Sequence, residues 1–303
     1  MNHPLVYEIN TRCWLQELSE QRGTAVHLQS VPEDEFQRWQ ELGFTHVWLM
    51  GIWPTGPRSR ALALDSPCSP EIPGQPQTQR PPGDIAGSPF AVADYKVSRD
   101  LGGEQGLQRF RENLHLRGLR LLLDFVPNHV GLDHPWVQQH PEFFVQSDHP
   151  VPGTFAVDTA AGRRWIAHGK DPNFPPWTDT AQLDYRKIET QRAVGDAVQA
   201  VARRCDGLRC DMAMLLLQDV FAGNWRAFPF DTPAPEGEFW AGLIRRIRRA
   251  QPDFVLLAEV YWDLEARLQA LGFDYTYDKR LYDYLIYQDR SQVRRHLLGV
   301  SPA

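Results

Sequence analysis

Three short apolar runs in this sequence each end in a carboxylate, at Asp124, Asp211 and Glu259. The runs read LRLLLD, GLRCD and VLLAE. Near-continuous apolar runs are typical of strands buried on both faces, and in a β/α barrel the end of each strand faces the substrate mouth. Three carboxylates on separate strands therefore predict a site for acid chemistry.

The segment GLRCD places an arginine two residues before a carboxylate. Residues two apart on a strand share a face, so Arg209 and Asp211 project together while Leu208 and Cys210 point toward the helices. The arginine is expected to keep Asp211 ionised, which nucleophilic attack on an anomeric carbon requires. The alternative is a buried ion pair that only stabilises the fold.

Glu259 follows the apolar residues Val255–Ala258. A carboxyl group in apolar surroundings has a raised pKa, which suits a general acid that protonates a leaving-group oxygen. The alternative is a glutamate that caps the next helix.

The segment after the third run reads DFVPNH and offers three more polar groups. Asp124 could support the site through hydrogen bonds, and the side-chain carbonyl of Asn128 suits a hard cation such as calcium. His129 could donate to a sugar hydroxyl, or could be a satisfied core histidine.

The elements that position these residues alternate between apolar strands and amphipathic helices, which predicts an α/β protein with a parallel sheet. Six strands are expected, at 6–10, 46–50, 119–126, 207–212, 254–260 and 273–277. Helices are expected at 32–42, 104–116, 190–204, 238–250, 263–271 and 279–288, followed by an amphipathic tail.

Three local features complete this prediction. Ser30 and Glu33 form a candidate capping box for the first predicted helix. Residues 52–90, rich in Pro, Gly and Ser, are predicted to be one long loop. Residues 131–184 show little periodicity and hold many aromatic residues, which indicates an inserted unit packed by aromatics.

Composition excludes some classes of function. With 303 residues and a formal net charge of −6, the chain has no basic footprint for nucleic acid. Its one basic cluster, Arg245, Arg246, Arg248 and Arg249, is predicted to be the solvated face of a helix. No apolar run is long enough to span a bilayer, so no membrane partner is expected.

The four cysteines, Cys13, Cys68, Cys205 and Cys210, show no zinc-binding spacing. No signal peptide is visible at the start of the sequence. We expect reduced thiols and a cytoplasmic location.

Together the motifs resemble those of the α-amylase family, glycoside hydrolase family 13. DFVPNH (124–129), GLRCD (207–211) and LLAE (256–259) resemble its first three conserved regions. AQLDY (181–185) resembles the region near the end of its inserted domain B, and residues 88–103 resemble the sugar-subsite segment after strand two. The resemblance covers nearly the whole chain in the right order.

The resemblance implies a TIM (β/α)8-type barrel, divided here into a barrel at 1–130 and 185–303 and a domain B at 131–184. It implies retaining chemistry on α-glucans or small α-glucosides, with Asp211 as nucleophile and Glu259 as acid/base. Arg209 would orient Asp211, and His129 would bind a hydroxyl at the cleavage point. Retaining enzymes hold the two reacting carboxyl groups about 5–5.5 Å apart.

The sequence also departs from the family pattern. Phe90 stands where a stacking Tyr is common, and the second region continues Met-Ala-Met instead of toward Lys-His. We expect no required cofactor. Calcium is a candidate ion, and Asn128 is its one candidate ligand. The fourth region, a His-Asp pair after strand seven, has no counterpart after Phe273.

We therefore expect an incomplete barrel, the N-terminal three-quarters of the catalytic domain, which is inactive alone. Its outer strands should be exposed and prone to association. Two alternatives remain open. One is an amylase-like binding or scaffold protein without catalysis. The other is a sucrose or maltose isomerase, or a phosphorylase, of the same family.

Overall fold

The computed structural model describes residues 3–65, 85–160, 162–230 and 235–299. The strands are β1 Val6–Asn10, β2 His46–Met50, β3 Arg120–Phe125, β4 His129–Gly131, β5 Gln146–Ser147, β6 Thr154–Thr159, β7 Gly162–Ala167, β8 Thr180–Gln182, β9 Gly207–Cys210, β10 Val255–Ala258 and β11 Tyr275–Thr276. The α-helices are α1 Thr11–Arg22, α2 Glu33–Glu41, α3 Pro57–Asp65, α4 Gly103–His115, α5 Trp136–Gln139, α6 Ile188–Ala202, α7 Gln218–Asn224, α8 Phe239–Ala250, α9 Glu265–Ala270, α10 Lys279–Ile286 and α11 Arg290–Gly299.

Six parallel strands form the central sheet, in the order β1-β2-β3-β9-β10-β11. This is the half-barrel that the sequence predicts, an incomplete TIM barrel with β1 and β11 at its edges. The predicted bounds of β1 and β2 are those of the structure. The other four strands are shorter than predicted, most clearly β11.

The two faces of the sheet differ in chemistry. On one face Leu121 and Leu123 of β3 and Leu208 of β9 pack into a core shared with the apolar sides of α4, α6 and α8. This face confirms that Leu208 and Cys210 point toward the helices. The opposite face, which lines the inside of the half-barrel, therefore carries Asp124 and Arg209.

Helix α1 is absent from the sequence prediction. The Asn10 side chain caps it by accepting a hydrogen bond from the Cys13 backbone N–H, and Gly23 closes it in the left-handed conformation. In the predicted basic cluster, Arg245, Arg246 and Arg249 are exposed and Arg248 is half-buried, while the opposite side of α8 is buried.

Two local predictions are wrong. Ser30 and Glu33 do not form a capping box, because Pro32 is the N-cap of α2 and the Ser30 hydroxyl bonds the His27 backbone instead. The segment 52–90 is not one loop, since α3 lies within it. Residues 66–84 of that segment, including Cys68, lie outside the described residues.

The segment between β3 and β9 contains two small antiparallel sheets. One pairs β4 with β8, and the other has the order β5-β7-β6. Buried aromatic residues, among them Phe144 and Tyr185, belong to the main core cluster. The insertion therefore packs against the half-barrel rather than lying apart from it.

The cysteines Cys13, Cys205 and Cys210 are free thiols, the first exposed and the other two buried. Over the described ranges, no helix has both the length and the apolar character needed to cross a bilayer.

Candidate active site

Strand register brings the predicted acids to one place. Arg209 on β9 pairs in register with Asp124 on β3 and with Leu257 on β10. Asp211 and Glu259 lie two residues beyond Arg209 and Leu257, so both follow the ends of adjacent strands on the same face. Backbone bonds continue this register, because Glu259 N–H donates to Cys210 O over 3.0 Å.

The Arg209 guanidinium contacts all three acids. Its Nη1 lies 2.7 Å from Asp211 Oδ1 and 3.5 Å from Asp124 Oδ1, and its Nη2 lies 2.8 Å from Glu259 Oε2. Arg209 is only 4% exposed, and the three acids are buried with it. The predicted Arg209–Asp211 pair is present, and the same arginine also pairs with Glu259, which the sequence analysis did not anticipate.

Aromatic rings surround this arginine. The guanidinium carbon lies 5.3 Å from the ring centre of Trp48, 5.2 Å from that of Phe90 and 5.5 Å from that of Tyr277. Arg209 Nε also donates to the Tyr277 hydroxyl over 3.1 Å. Cation–π contacts of this kind are stronger when desolvated, so they help to keep a buried cation in place.

Glu259 has partners on both carboxylate oxygens. Oε1 accepts a hydrogen bond from the Tyr261 hydroxyl at 2.5 Å, and Oε2 accepts from the Met212 backbone N–H at 2.8 Å. Burial raises the pKa of Glu259, the charge of Asp211 raises it further, and Arg209 lowers it. The burial predicted for Glu259 therefore raises its pKa, while the Arg209 cation beside it lowers that pKa.

Met212 provides one of these donors because the backbone turns sharply after Asp211. Met212 has a φ of 44° and a ψ of 42°, in the left-handed region that non-glycine residues seldom occupy. Residues held in such conformations cluster at functional sites. Here the turn ends β9 and directs the Met212 N–H to Glu259.

Asp124 is the most deeply enclosed of the three acids. Its Oδ1 lies 3.5 Å from Arg209 Nη1, and hydrogen bonding by the Trp48 side chain and the Gly51 backbone acts to lower its pKa. Burial raises the pKa of Asp124 to about 7, although the Arg209 charge opposes the shift. Asp124 therefore holds its proton to a higher pH than an exposed aspartate does.

His129 and Asn128 lie beside this cluster. His129 is buried, its ring centre is 5.1 Å from that of Trp177, and burial lowers its pKa to about 4, so the imidazole is neutral at pH 7. The Asn128 side chain exchanges hydrogen bonds with Gln182, with Oδ1 accepting from Nε2 at 3.1 Å. In the part of the chain described, no group of three or more His, Cys, Asp or Glu residues is placed to hold a metal ion.

The structure thus brings together Arg209, Asp211, Glu259, Asp124 and Phe90. The sequence analysis missed the aromatic partners Trp48, Tyr261 and Tyr277. Trp48 and Tyr277 lie in or directly after strands of the sheet, and Tyr261 is two residues beyond Glu259. Their positions within a strand or just after a strand end are the signal in the sequence that could have identified them.

Comparison with known proteins gives a family match over most of the chain. A family profile described as alpha amylase, catalytic domain, matches residues 34–282. The α-1,4-glucan:maltose-1-phosphate maltosyltransferase of Salinibacter ruber is 35% identical over 247 residues, covering 80% of this chain and 32% of that protein. Alpha-amylase MalA of Haloarcula japonica is 27% identical over 191 residues, covering 62% of this chain and 24% of that protein.

Solved structures show the same fold. An α-amylase from Lactobacillus plantarum superposes with a TM-score of 0.64 at 22% identity, covering 97% of this chain and 57% of that one. An α-amylase from H. orenii gives a TM-score of 0.62 at 20% identity, covering 99% and 58%. The chain spans about a quarter to a third of the curated relatives named above. From its motifs, its half-barrel and these matches, the chain belongs to the α-amylase family of glycoside hydrolases and transferases.

Proposed function

We propose that this chain carries the reacting acids of a retaining enzyme that acts on α-glucosidic bonds of α-glucans or small α-glucosides. The observation that carries the proposal is the Arg209 guanidinium, which contacts both Asp211 and Glu259 within 2.8 Å. A cation that contacts two carboxylates at adjacent strand ends supports the close approach of the two groups that retaining chemistry needs. The family relatives, which include amylases and maltosyltransferases, support the substrate class.

In this proposal Asp211 is the nucleophile. Its carboxylate attacks the anomeric carbon, the glycosidic C–O bond breaks, and Glu259 gives its proton to the departing oxygen. Glu259 then takes a proton from water or an acceptor hydroxyl, whose oxygen displaces Asp211. Burial favours the protonated form of Glu259 at the start of this cycle.

The remaining predicted residues would bind substrate. We propose that the neutral His129 binds a sugar hydroxyl and that the Phe90 ring stacks on the sugar, while Asp124 supports Arg209. We also propose that residues 131–184 act as a domain B at the substrate cleft. A cytoplasmic location and a calcium ion at Asn128 remain predictions.

Hydrolysis, transfer and isomerisation share this mechanism and differ in the acceptor. A trehalose synthase of Pimelobacter is 34% identical over 68 residues, and the maltosyltransferases are named for transfer. Product analysis with maltose, maltotriose and sucrose separates the three outcomes. A protein that binds these sugars but forms no product would favour the non-catalytic alternative.

We further propose that the 303-residue chain alone has little or no glycosidase activity. The family's fourth conserved region, which the resemblance places after strand seven, has no counterpart after Phe273. Robust turnover by a monomeric preparation of this chain would contradict this proposal.

The nucleophile has a direct test in the complete protein. A fluorinated α-glucosyl fluoride loses fluoride as its anomeric carbon bonds to the nucleophile, and the trapped ester is located by peptide mass spectrometry. Asp211→Asn should abolish trapping, whereas Asp148→Asn, at an exposed carboxylate, should leave it intact. Trapping on another residue would overturn the assignment.

A further inference from the structure

The two oxygens of Glu259 differ in the kind of donor that each one faces. Oε2 accepts from Arg209 Nη2 at 2.8 Å and from the Met212 backbone N–H at 2.8 Å. Oε1 accepts from the Tyr261 hydroxyl at 2.5 Å. Each oxygen is therefore engaged, but only one of them has a partner that can reverse its hydrogen bond.

The donors at Oε2 are fixed as donors. A guanidinium remains protonated in proteins and has no acceptor, and a backbone N–H can only donate. A proton placed on Oε2 would face two hydrogen-bond donors, so Oε2 remains an acceptor. A phenol hydroxyl both donates and accepts, so Oε1 can carry a proton and donate it to the Tyr261 oxygen.

We propose that Tyr261 is a positioning residue that keeps the acid proton of Glu259 on Oε1 and reverses its own hydrogen bond as Glu259 alternates between acid and base. The inference rests on the proposed function, because only an acid/base needs this alternation. It specifies which oxygen of Glu259 carries the acid proton and which residue keeps the proton there.

Each half of the reaction moves one proton to or from Oε1 of Glu259. When Glu259 protonates the departing oxygen, Oε1 becomes anionic and the Tyr261 hydroxyl rotates to donate to it. When Glu259 takes a proton from water, Oε1–H forms and the hydroxyl rotates to accept. Tyr261 keeps its own proton throughout, because burial and the hydrogen bond to Glu259 raise the pKa of its phenol.

Other titratable or charged groups act on Glu259 without this reversibility. Asp211 and Arg209 on the β9 side oppose each other in their effect on its pKa. The Tyr277 hydroxyl bonds to Arg209 rather than to Glu259, and His129 is neutral. Tyr261 is thus the one group hydrogen-bonded to Glu259 within the described residues that can follow its protonation.

The test uses Tyr261→Phe, which keeps the ring and removes the hydroxyl, and reads the pKa of Glu259 from the ¹³C shift of its carboxyl carbon. The hydroxyl bonds to both forms of Glu259, but its charge-assisted bond to the ionised form is the stronger one, so losing both bonds should raise that pKa by about 1. Tyr277→Phe is the matched control, because the Tyr277 hydroxyl bonds to Arg209 and not to Glu259. It should leave the pKa of Glu259 close to that of the wild type. An unchanged pKa in a folded Tyr261→Phe chain would overturn the inference.

A second measurement needs no variant. In the wild-type chain, the ¹³Cζ shift of Tyr261 should change with the same midpoint as Glu259, since the hydroxyl changes from donor to acceptor there. A flat Tyr261 signal across the Glu259 titration would overturn the inference. Both readouts are independent of turnover, so they can succeed when covalent trapping at Asp211 fails, and the two proposals can be judged separately.

Discussion

Arg209 sets the charge balance of the candidate site. Three buried carboxylates surround a single guanidinium, and the arginine is 4% exposed. Breaking a buried ion pair by removing one partner is costly because it leaves an uncompensated charge. The residue therefore matters for folding as well as for the orientation of Asp211 and Glu259.

We expect Arg209→Met to lower the free energy of unfolding by about 3–5 kcal/mol at pH 8, measured by urea denaturation. Arg163→Met is the control, because Arg163 is 58% exposed and its pair with Asp158 lies in solvent. That control should leave the free energy of unfolding close to that of the wild type, because water and salt screen an exposed pair. Equal effects at the two positions would show that burial of the cluster contributes nothing.

Asp124 predicts a pH dependence of stability. Burial raises its pKa from 3.8 to about 7, so between these values the folded chain holds a proton that the unfolded chain releases. Stability from this group is greatest at low pH and is lost as the pH rises toward 7. Asp124→Asn should remove that loss.

The measurement compares unfolding free energies of wild type and Asp124→Asn at several pH values from 4 to 8. The stability of the wild type relative to the variant should fall as the pH rises. His129 changes stability in the opposite direction, since its pKa is lowered to about 4, but it is common to both proteins. Parallel pH curves would contradict the assignment to Asp124.

Period-2 reasoning predicted part of this site and could not predict the rest. Arg209 and Asp211 share a strand, so their contact follows from local geometry. The contact from Arg209 to Glu259 depends on the register between β9 and β10, which no local pattern encodes. Tyr261 was missed for a similar reason. Its contact with Glu259 depends on the conformation of the turn after β10, which the sequence pattern does not reveal.

At the level of elements, Gly207 at the start of β9 controls the approach of three strands. A Cβ there would meet Leu122 Cδ2 at 2.4 Å and the Val255 carbonyl oxygen at 2.6 Å. Only a residue without a side chain lets β9 lie between β3 and β10 at this spacing. The strand pairing that brings the acids together therefore depends on the absence of a side chain at Gly207.

Gly207→Ala should destabilise the chain by about 1–3 kcal/mol through overpacking, as measured by urea or thermal unfolding. Gly242→Ala in α8 is the matched control, since a Cβ there meets no atom within 4 Å. That control should stabilise the chain by about 0.5–1 kcal/mol through helix propensity. A neutral Gly207→Ala would show that the strands separate easily.

Sequence reasoning succeeded for elements with one dominant signal. The segments VYEIN and HVWLM contain the β-branched and aromatic residues that strands favour, and both predicted ranges match the structure. Helix α1 was missed because it buries only three residues, Thr11, Leu15 and Leu18, and is rich in polar side chains. Strand β9 ends at Cys210, two residues before the predicted end, because Met212 adopts a left-handed conformation.

For the whole molecule, the described sheet has two open edges, at β1 and β11. Near the β11 end, helices α10 and α11 expose apolar side chains: Leu285 and Ile286 are each 57% exposed, and Leu298 is 77% exposed. Residues of both helices also line a cavity of about 600 Å³. Exposed strand edges and contiguous apolar surface favour association.

We expect the 303-residue chain to associate with rising concentration, as measured by sedimentation velocity. The double variant Leu285→Lys, Ile286→Lys should shift the chain toward monomer by removing apolar surface from α10. Leu116→Lys is the control, because Leu116 is 79% exposed but is distant in sequence from α10. A wild-type chain that is monomeric at high concentration would contradict this prediction.

The Arg209 cluster also has a consequence for the order of events during synthesis. Every partner of that guanidinium described above lies at or before Tyr277, in or close to the six strands of the described sheet. A nascent chain therefore holds every described partner of Arg209 once Tyr277 has left the ribosome. We expect the ion pairs of this cluster to form without any residue beyond Tyr277.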